Sequence, residues 1–204
     1  MGGAGGGDPP GCPGGHLPLV DAFDDGVIGP EWGTYSDGVS TISEEDGAIV
    51  VTMPDPTVRS SHSGVYSVTD YSLTDCAVFA RVGQLADPTT KAFTHLYALV
   101  SDEVGYIEVV AGNGGLYFQK IVAGTLAEVG SIPYDPVEHA YWRLRGSAGI
   151  TYWETSADAQ TWQIQASEPN PIPLDAVSIA LAAGTYQVEP VAPGVSRFEA
   201  LNLP

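Results

Sequence analysis

The amino-acid sequence predicts an all-β chain folded as two packed antiparallel sheets. Three observations carry that expectation: short runs rich in Val, Ile, Thr, Tyr and Trp, their punctuation by 25 Gly and 16 Pro, and the lack of any sustained apolar stripe at helical spacing. Hydrophobic residues make up 44 % of the 204 and charged residues 16 %, which suits one packed core and not a disordered chain.

Residues 1–16 are Gly- and Pro-rich with no core-forming run, and read as a flexible tether. From residue 17 to 204 the texture is uniform, so one domain is expected. Its strands are expected at 17–23, 47–53, 64–68, 75–85, 94–101, 106–111, 116–122, 127–132, 141–145, 150–155, 161–166, 177–182 and 195–203. Turn signals separate them, among them Asp25-Gly26, Asp37-Gly38, Asp46-Gly47, Asn113-Gly114 and the run from Gly146 to Gly149. Alternation sorts the faces. Cys76, Val78, Ala80 and Val82 share one side of their strand, and Trp142 and Leu144 share one side of theirs. Tyr141, Arg143 and Arg145 fall on the opposite side of that second strand, pointing away from the core.

Twenty-five acidic residues against seven basic ones give a net charge of −18. A surface that negative repels phosphate backbones and anionic lipid heads, so neither nucleic acid nor membrane is an expected partner. No apolar run is long enough to span a bilayer, and no secretory signal is visible. A Gly/Pro tether ahead of a compact domain suits a secreted or surface-displayed protein whose signal or lipid-anchor segment has been removed. Cys12 and Cys76 leave two readings open: a disulfide that pins the tether to the domain, or two separate thiols.

Three segments together resemble the concanavalin A-like jelly rolls, particularly the laminin-G-like domains of bacterial secreted proteins. They are Asp21 to Gly26 with Trp32; Tyr141 to Arg145 followed by Ile150 to Ser156 and Asp158 to Trp162; and Val177 to Leu181 followed by Arg197, Phe198 and Glu199. The resemblance spans residues 19–203 and implies a jelly-roll sandwich. Two positions depart from it. Ala159 stands where the family has Gly in a turn, so that turn must take a conformation Ala tolerates. Glu199 stands where an Asp is usual. In related jelly rolls that acid helps hold a calcium ion near the first strand, which implies a structural calcium on Asp21 or Asp24 with Glu199; ordinary surface carboxylates are the alternative.

Glucanases of this superfamily carry an E-x-D-x-(x)-E array on one strand, and none is present. Glu103 and Glu108 lie five apart and point to opposite faces of an extended strand; Glu44, Glu45 and Asp46 run into a turn. The Gln-x-His strand of jelly-roll lyases is missing, and Ser60 to Ser63 cluster hydroxyls with His62 without a nucleophile elbow. His95, in a strand, reads as a structural imidazole. The expectation is therefore no enzyme but a non-catalytic extracellular module that binds glycan or a surface protein. Sugars stack on aromatic faces, which selects Tyr97, Tyr141, Tyr152 and Trp153 as ligand-binding residues, with Arg143 and Arg145 as hydrogen-bond donors. Tyr106, Tyr117, His95, Gln119 and Glu154 are secondary candidates. The alternative is a structural or adhesive subunit that self-assembles through its N-terminal arm.

Overall fold

A computed structural model describes residues 12–55, 59–100 and 105–204. Its strands, in chain order, are β1 (Trp32–Ser36), β2 (Thr41–Glu45), β3 (Ala48–Thr52), β4 (Ser61–Ser67), β5 (Ala77–Gln84), β6 (Ala92–Val100), β7 (Gly105–Gly112), β8 (Gly115–Val122), β9 (Thr125–Pro133), β10 (Tyr141–Ser147), β11 (Ile150–Ser156), β12 (Gln163–Pro169), β13 (Val177–Thr185) and β14 (Val195–Leu201). They form two antiparallel seven-stranded sheets, ordered β1-β4-β13-β6-β7-β8-β9 and β12-β11-β10-β5-β14-β3-β2. Among the described residues there is no helix.

The alternation read from sequence places the core. Cys76, Val78, Ala80 and Val82 face Trp142, Leu144 and Trp153 from the same sheet, and Leu96, Ile107, Val109, Phe118, Ile179 and Leu181 from the other. Each buried aliphatic or aromatic side chain removed from water contributes about 1.5–3 kcal/mol, so this shared interior is what holds the sheets together.

Four two-residue hairpins fix the register. Asp46-Gly47, Asn113-Gly114, Ala123-Gly124 and Ala148-Gly149 all have positive φ at both residues and join β2–β3, β7–β8, β8–β9 and β10–β11. The turn after β11 departs from expectation. Ala159 does not find a conformation that suits alanine; it sits in the left-handed region at φ 57°, where glycine is unstrained. Ala159→Gly should therefore stabilise the fold by about 1 kcal/mol, read as a rise in the urea midpoint; an unchanged midpoint would show the turn pays no strain.

Two elements differ from the sequence reading. Residues 17–23 form no strand; the chain there makes isolated bridges, Asp21 with Leu201 and, just before the segment, His16 with Ala77. Pro18 lacks a ladder donor, and the segment is instead anchored by the buried side chains of Leu17, Leu19 and Phe23. Conversely, β1 and β2 were not foreseen, because their Gly, Ser and Glu content is weakly β-forming. Both are edge strands, where polar residues are tolerated and discourage pairing with another chain.

Residues 1–11 of the expected tether lie outside the described residues. Residues 12–16 are tied to β5: Cys12 is disulfide-bonded to Cys76, Gly14 N–H donates to Asp75 O at 2.6 Å, and Leu17 N–H to Ala77 O at 2.8 Å. Closing a loop with 64 residues of separation stabilises by up to about 4 kcal/mol through the unfolded chain.

Candidate active site

The outer face of the first sheet carries a trough whose shape follows from side-chain size. Its central strand β13 presents Ser178, Ala180, Ala182 and Gly184 outward, while its neighbours present rings. Tyr35 comes from β1, His62 and Tyr66 from β4, Phe93, His95 and Tyr97 from β6, and Tyr106 from β7. Small residues down the middle and aromatic residues on both sides leave a furrow. Gly33 belongs to the design: a Cβ there would meet the Tyr66 ring at 2.4 Å, so only glycine lets that ring lie over β1.

The furrow holds a cavity of about 590 Å³ lined by Tyr35, His62, Tyr66, Tyr97, Leu99 and Tyr106, among others. A second, of about 460 Å³, is lined by Asp37, Arg59, His62, Tyr97, Tyr106 and Tyr186 together with Phe93 and neighbouring hydroxyls. His62, Tyr97 and Tyr106 line both, so they form a waist with room on either side for a ring-sized group.

The polar groups converge at this waist. His62 Nε2 and the Tyr97 hydroxyl are 2.6 Å apart, the imidazole reaching across β13. On β7, Glu108 lies directly opposite Tyr97 and is fully buried; its Oε2 is 2.6 Å from His95 Nδ1. The His95 ring stacks on Tyr97 at 4.8 Å and meets His62 edge-on at 5.6 Å. Two buried atoms of this group, Glu108 Oε1 and His95 Nε2, have no hydrogen-bond partner among the described residues. Buried polar atoms are rarely left so; neither residue lines either cavity, and both atoms lie beneath the rings that do.

Electrostatics separate the roles. Desolvation by the crowding rings, and then the neighbouring His95, hold the His62 imidazole down at about 4, so it is neutral at ordinary pH and accepts the Tyr97 hydroxyl. Burial and then the Glu108 charge push Tyr97 well above the usual phenol range, and the same two causes raise Tyr35, Tyr106 and Tyr186. These hydroxyls remain donors, and all sense one carboxylate. A depressed imidazole favours folding in its neutral form. Its contribution is complete above about pH 6.5 and is lost as pH falls toward about 4. The drop in urea midpoint between pH 7 and pH 5 should thus be smaller in His62→Gln than in the parent; equal drops would place His62 in ordinary solvent.

The structure scatters the residues selected from sequence. Tyr97 lies at the waist. Tyr141, Arg143, Arg145 and Tyr152 lie on the outer face of the opposite sheet, on β10 and β11. There Glu154, itself buried, binds Arg143 at 2.5 Å and Arg145 at 2.7 Å. The two guanidinium groups stack over Trp162 and Tyr152 at 3.9 and 4.0 Å. This cluster satisfies itself. Trp153 is fully buried in the core, which corrects its assignment to a binding surface: alternation sends Tyr152 outward and Trp153 inward. Among the carboxylates read as calcium ligands, Asp21 accepts from Trp32 Nε1 and Phe23 N–H, both at 2.8 Å, Asp24 is exposed, and Glu199 pairs with Arg81 at 2.9 Å. No group of three or more His, Cys, Asp or Glu suited to a metal occurs among the described residues. Glu103 lies outside them.

Sequence reasoning missed Tyr35, His62, Tyr66 and Glu108 as one set, and named His95 only as a structural imidazole or a hydrogen-bonding residue of a sugar site. The only signal was alternation: Phe93, His95 and Tyr97 share a face, as do Tyr106 and Glu108.

No protein-family model and no curated sequence matches the chain. Solved structures do. A Bacillus licheniformis beta-glucanase matches with TM-score 0.67 and 11 % identity over 90 % of this chain and 95 % of that one. SCLam, a non-specific endo-beta-1,3(4)-glucanase from family GH16, matches with TM-score 0.65 and 9 % identity over 91 % and 89 %. The exoplasmic/lumenal domain of VIP36, in a form bound to Ca2+ and Man2, matches with TM-score 0.60 and 13 % identity over 84 % and 80 %. These neighbours overturn the expectation of a non-catalytic, non-enzymatic module, and its alternative of a self-assembling structural subunit falls with it. That expectation required the catalytic groups to share one strand, whereas here the converging groups come from β4, β6 and β7. The chain has the fold of the concanavalin A-like jelly-roll sandwiches, which host glucanases and lectins alike.

Proposed function

We propose that this protein is a carbohydrate-active enzyme that hydrolyses a polysaccharide lying along the trough, with the bond to be cut over the waist. The observation that carries this reading is the buried Glu108 carboxylate, with Oε1 unpartnered, beneath a waist formed by the Tyr97–His62 pair. Glycoside hydrolysis passes through a transition state with positive charge at the anomeric carbon. A fixed carboxylate amid low-dielectric rings stabilises such charge without reorganising. The Tyr97 hydroxyl turns from His62 Nε2 to the departing glycosidic oxygen and gives it its proton; His62 Nε2, freed by that turn, takes the proton of the attacking water and returns it to Tyr97 across their 2.6 Å contact, which restores both groups. His95 holds Glu108 in place through Nδ1.

The glucanases among the fold neighbours support a glycan substrate, and the net charge of −18 argues against a polyanionic one. The laminin-G-like sequence motifs are scaffold in this reading, since Trp142, Leu144 and Trp153 all fill the core. The Cys12–Cys76 bridge favours an oxidising compartment, in keeping with secretion or surface display. The test is reducing-end release from a panel of neutral, amino and uronate polysaccharides. Cleavage that yields saturated ends supports hydrolysis; unsaturated uronate ends would replace it with elimination, and no cleavage of any member would end the proposal.

A further inference from the structure

The waist is built to hold positive charge, and that has a consequence for substrate choice. Tyr35, Tyr66, Tyr97 and Tyr106 line the larger cavity, four aromatic rings about one space. Tyr35 and Tyr66 lie 6.3 Å apart with planes at 44°, and Tyr97 and Tyr106 lie 5.2 Å apart at 82°, so faces and edges enclose the space from several sides. Aromatic faces attract ammonium groups, most strongly where water is excluded. Glu108, fully buried on the same face of the sheet, adds a carboxylate whose Oε1 none of the described residues satisfies. Among the described residues, Arg59 is the one Lys or Arg lining either cavity; it is at the rim of the smaller one and donates to the Asp37 carbonyl. Among the described residues lining the larger cavity the only basic side chain is the imidazole of His62, which is neutral at ordinary pH, and the carboxylate's hydrogen-bond partner is His95. The net charge of −18 steers cations toward the surface as a whole.

We infer that the larger cavity is a cation-selective subsite, and that the polysaccharide cleaved here carries free amino groups: a glucosamine-type polymer whose ammonium sits among Tyr35, Tyr66, Tyr97 and Tyr106, in the field of the Glu108 carboxylate beneath them. This rests on the trough being the catalytic site and narrows the substrate class from glycans at large to amino glycans. N-acetylation removes the charge and adds bulk, so an acetylated sugar loses both the ring-face attraction and the carboxylate.

Calorimetric binding and reducing-end release are measured in parallel with oligosaccharides of glucosamine, their fully N-acetylated counterparts and glucose oligomers of the same linkage, on the intact protein. The expected result is binding and cleavage of the glucosamine oligomer, loss of both on N-acetylation, and competition by tetramethylammonium. Raising the pH past the pKa of the sugar amine should abolish binding of the oligomer and leave that of tetramethylammonium intact. Tyr66→Ala, a partly exposed ring outside the proton-transfer pair, should weaken glucosamine binding about 2- to 30-fold, and Tyr66→Phe should restore it. Binding of the acetylated or neutral oligomers as tight as that of the amine would overturn the inference. So would indifference to tetramethylammonium. Cleavage of a neutral glucan without amine binding would overturn the inference and leave the hydrolase intact. Tight amine binding with no cleavage of any oligomer would keep the cation site and remove the hydrolase.

Discussion

Glu108→Gln is expected to lower kcat on the cleaved polysaccharide by about 10²–10³-fold, the usual cost of removing one preorganised group that stabilises charge in the transition state. The substitution keeps the shape of the side chain and lets the amide oxygen accept from His95 Nδ1, so the buried pair at 2.6 Å is replaced and not broken. What it removes is the negative charge beneath the waist. A second consequence separates a lost charge from a damaged fold. Tyr35, Tyr97, Tyr106 and Tyr186 are all held up in part by Glu108, so their ionisation should move toward the ordinary phenol range in the variant. Ultraviolet titration of tyrosine reads this without reference to activity. If kcat stays within a few-fold of the parent while the tyrosines do shift, Glu108 is charged and close but is not used in catalysis, and the proposed mechanism fails.

The largest expected effect on stability is at Trp142. Trp142→Ala should cost about 3–5 kcal/mol, the range for deleting a large aromatic from a packed core. Its ring is fully enclosed between the sheets, meets Tyr134 edge-on at 6.4 Å, and its Nε1 donates to His139 O at 3.0 Å. The truncation loses the transfer energy of the ring, opens a cavity and leaves that carbonyl without its donor. Tyr152→Ala is the control: its ring lies on the outer face under Arg145, where little closes over it. Denaturant midpoints of the two variants decide the matter. Comparable losses would mean that strand alternation does not separate core from surface in the second sheet.

How much of this was legible from the sequence depended on the range over which each signal acts. Hairpins at Asp46-Gly47 and Asn113-Gly114 were legible because two adjacent residues decide them. The strand at 17–23 was misread because Leu17, Leu19 and Phe23 show the right apolar pattern, while ladder pairing also needs a neighbour strand that Pro18 helps to refuse. Edge strands β1 and β2 were missed for the opposite reason: their partners, not their own composition, make them strands. The ligand-binding set drew on aromatics of the middle strands with polar groups beside them. Apart from Tyr97 it landed on β10 and β11, where Arg143 and Arg145 are already consumed by Glu154.

Alternating apolar residues, with glycine-marked turns between them, determined by themselves that this chain is a two-sheet sandwich and which side of β5 and β10 faces inward. That information is local, carried by a period of two along each strand. Which strands become neighbours was decided only in three dimensions. The order β4-β13-β6-β7 sets His62 against Tyr97 and Glu108 across a floor of Ala and Gly, joining residues 62, 97, 108 and 182 that nothing local connects. A period along one strand says which way a side chain points and carries no information about which strand will lie beside it.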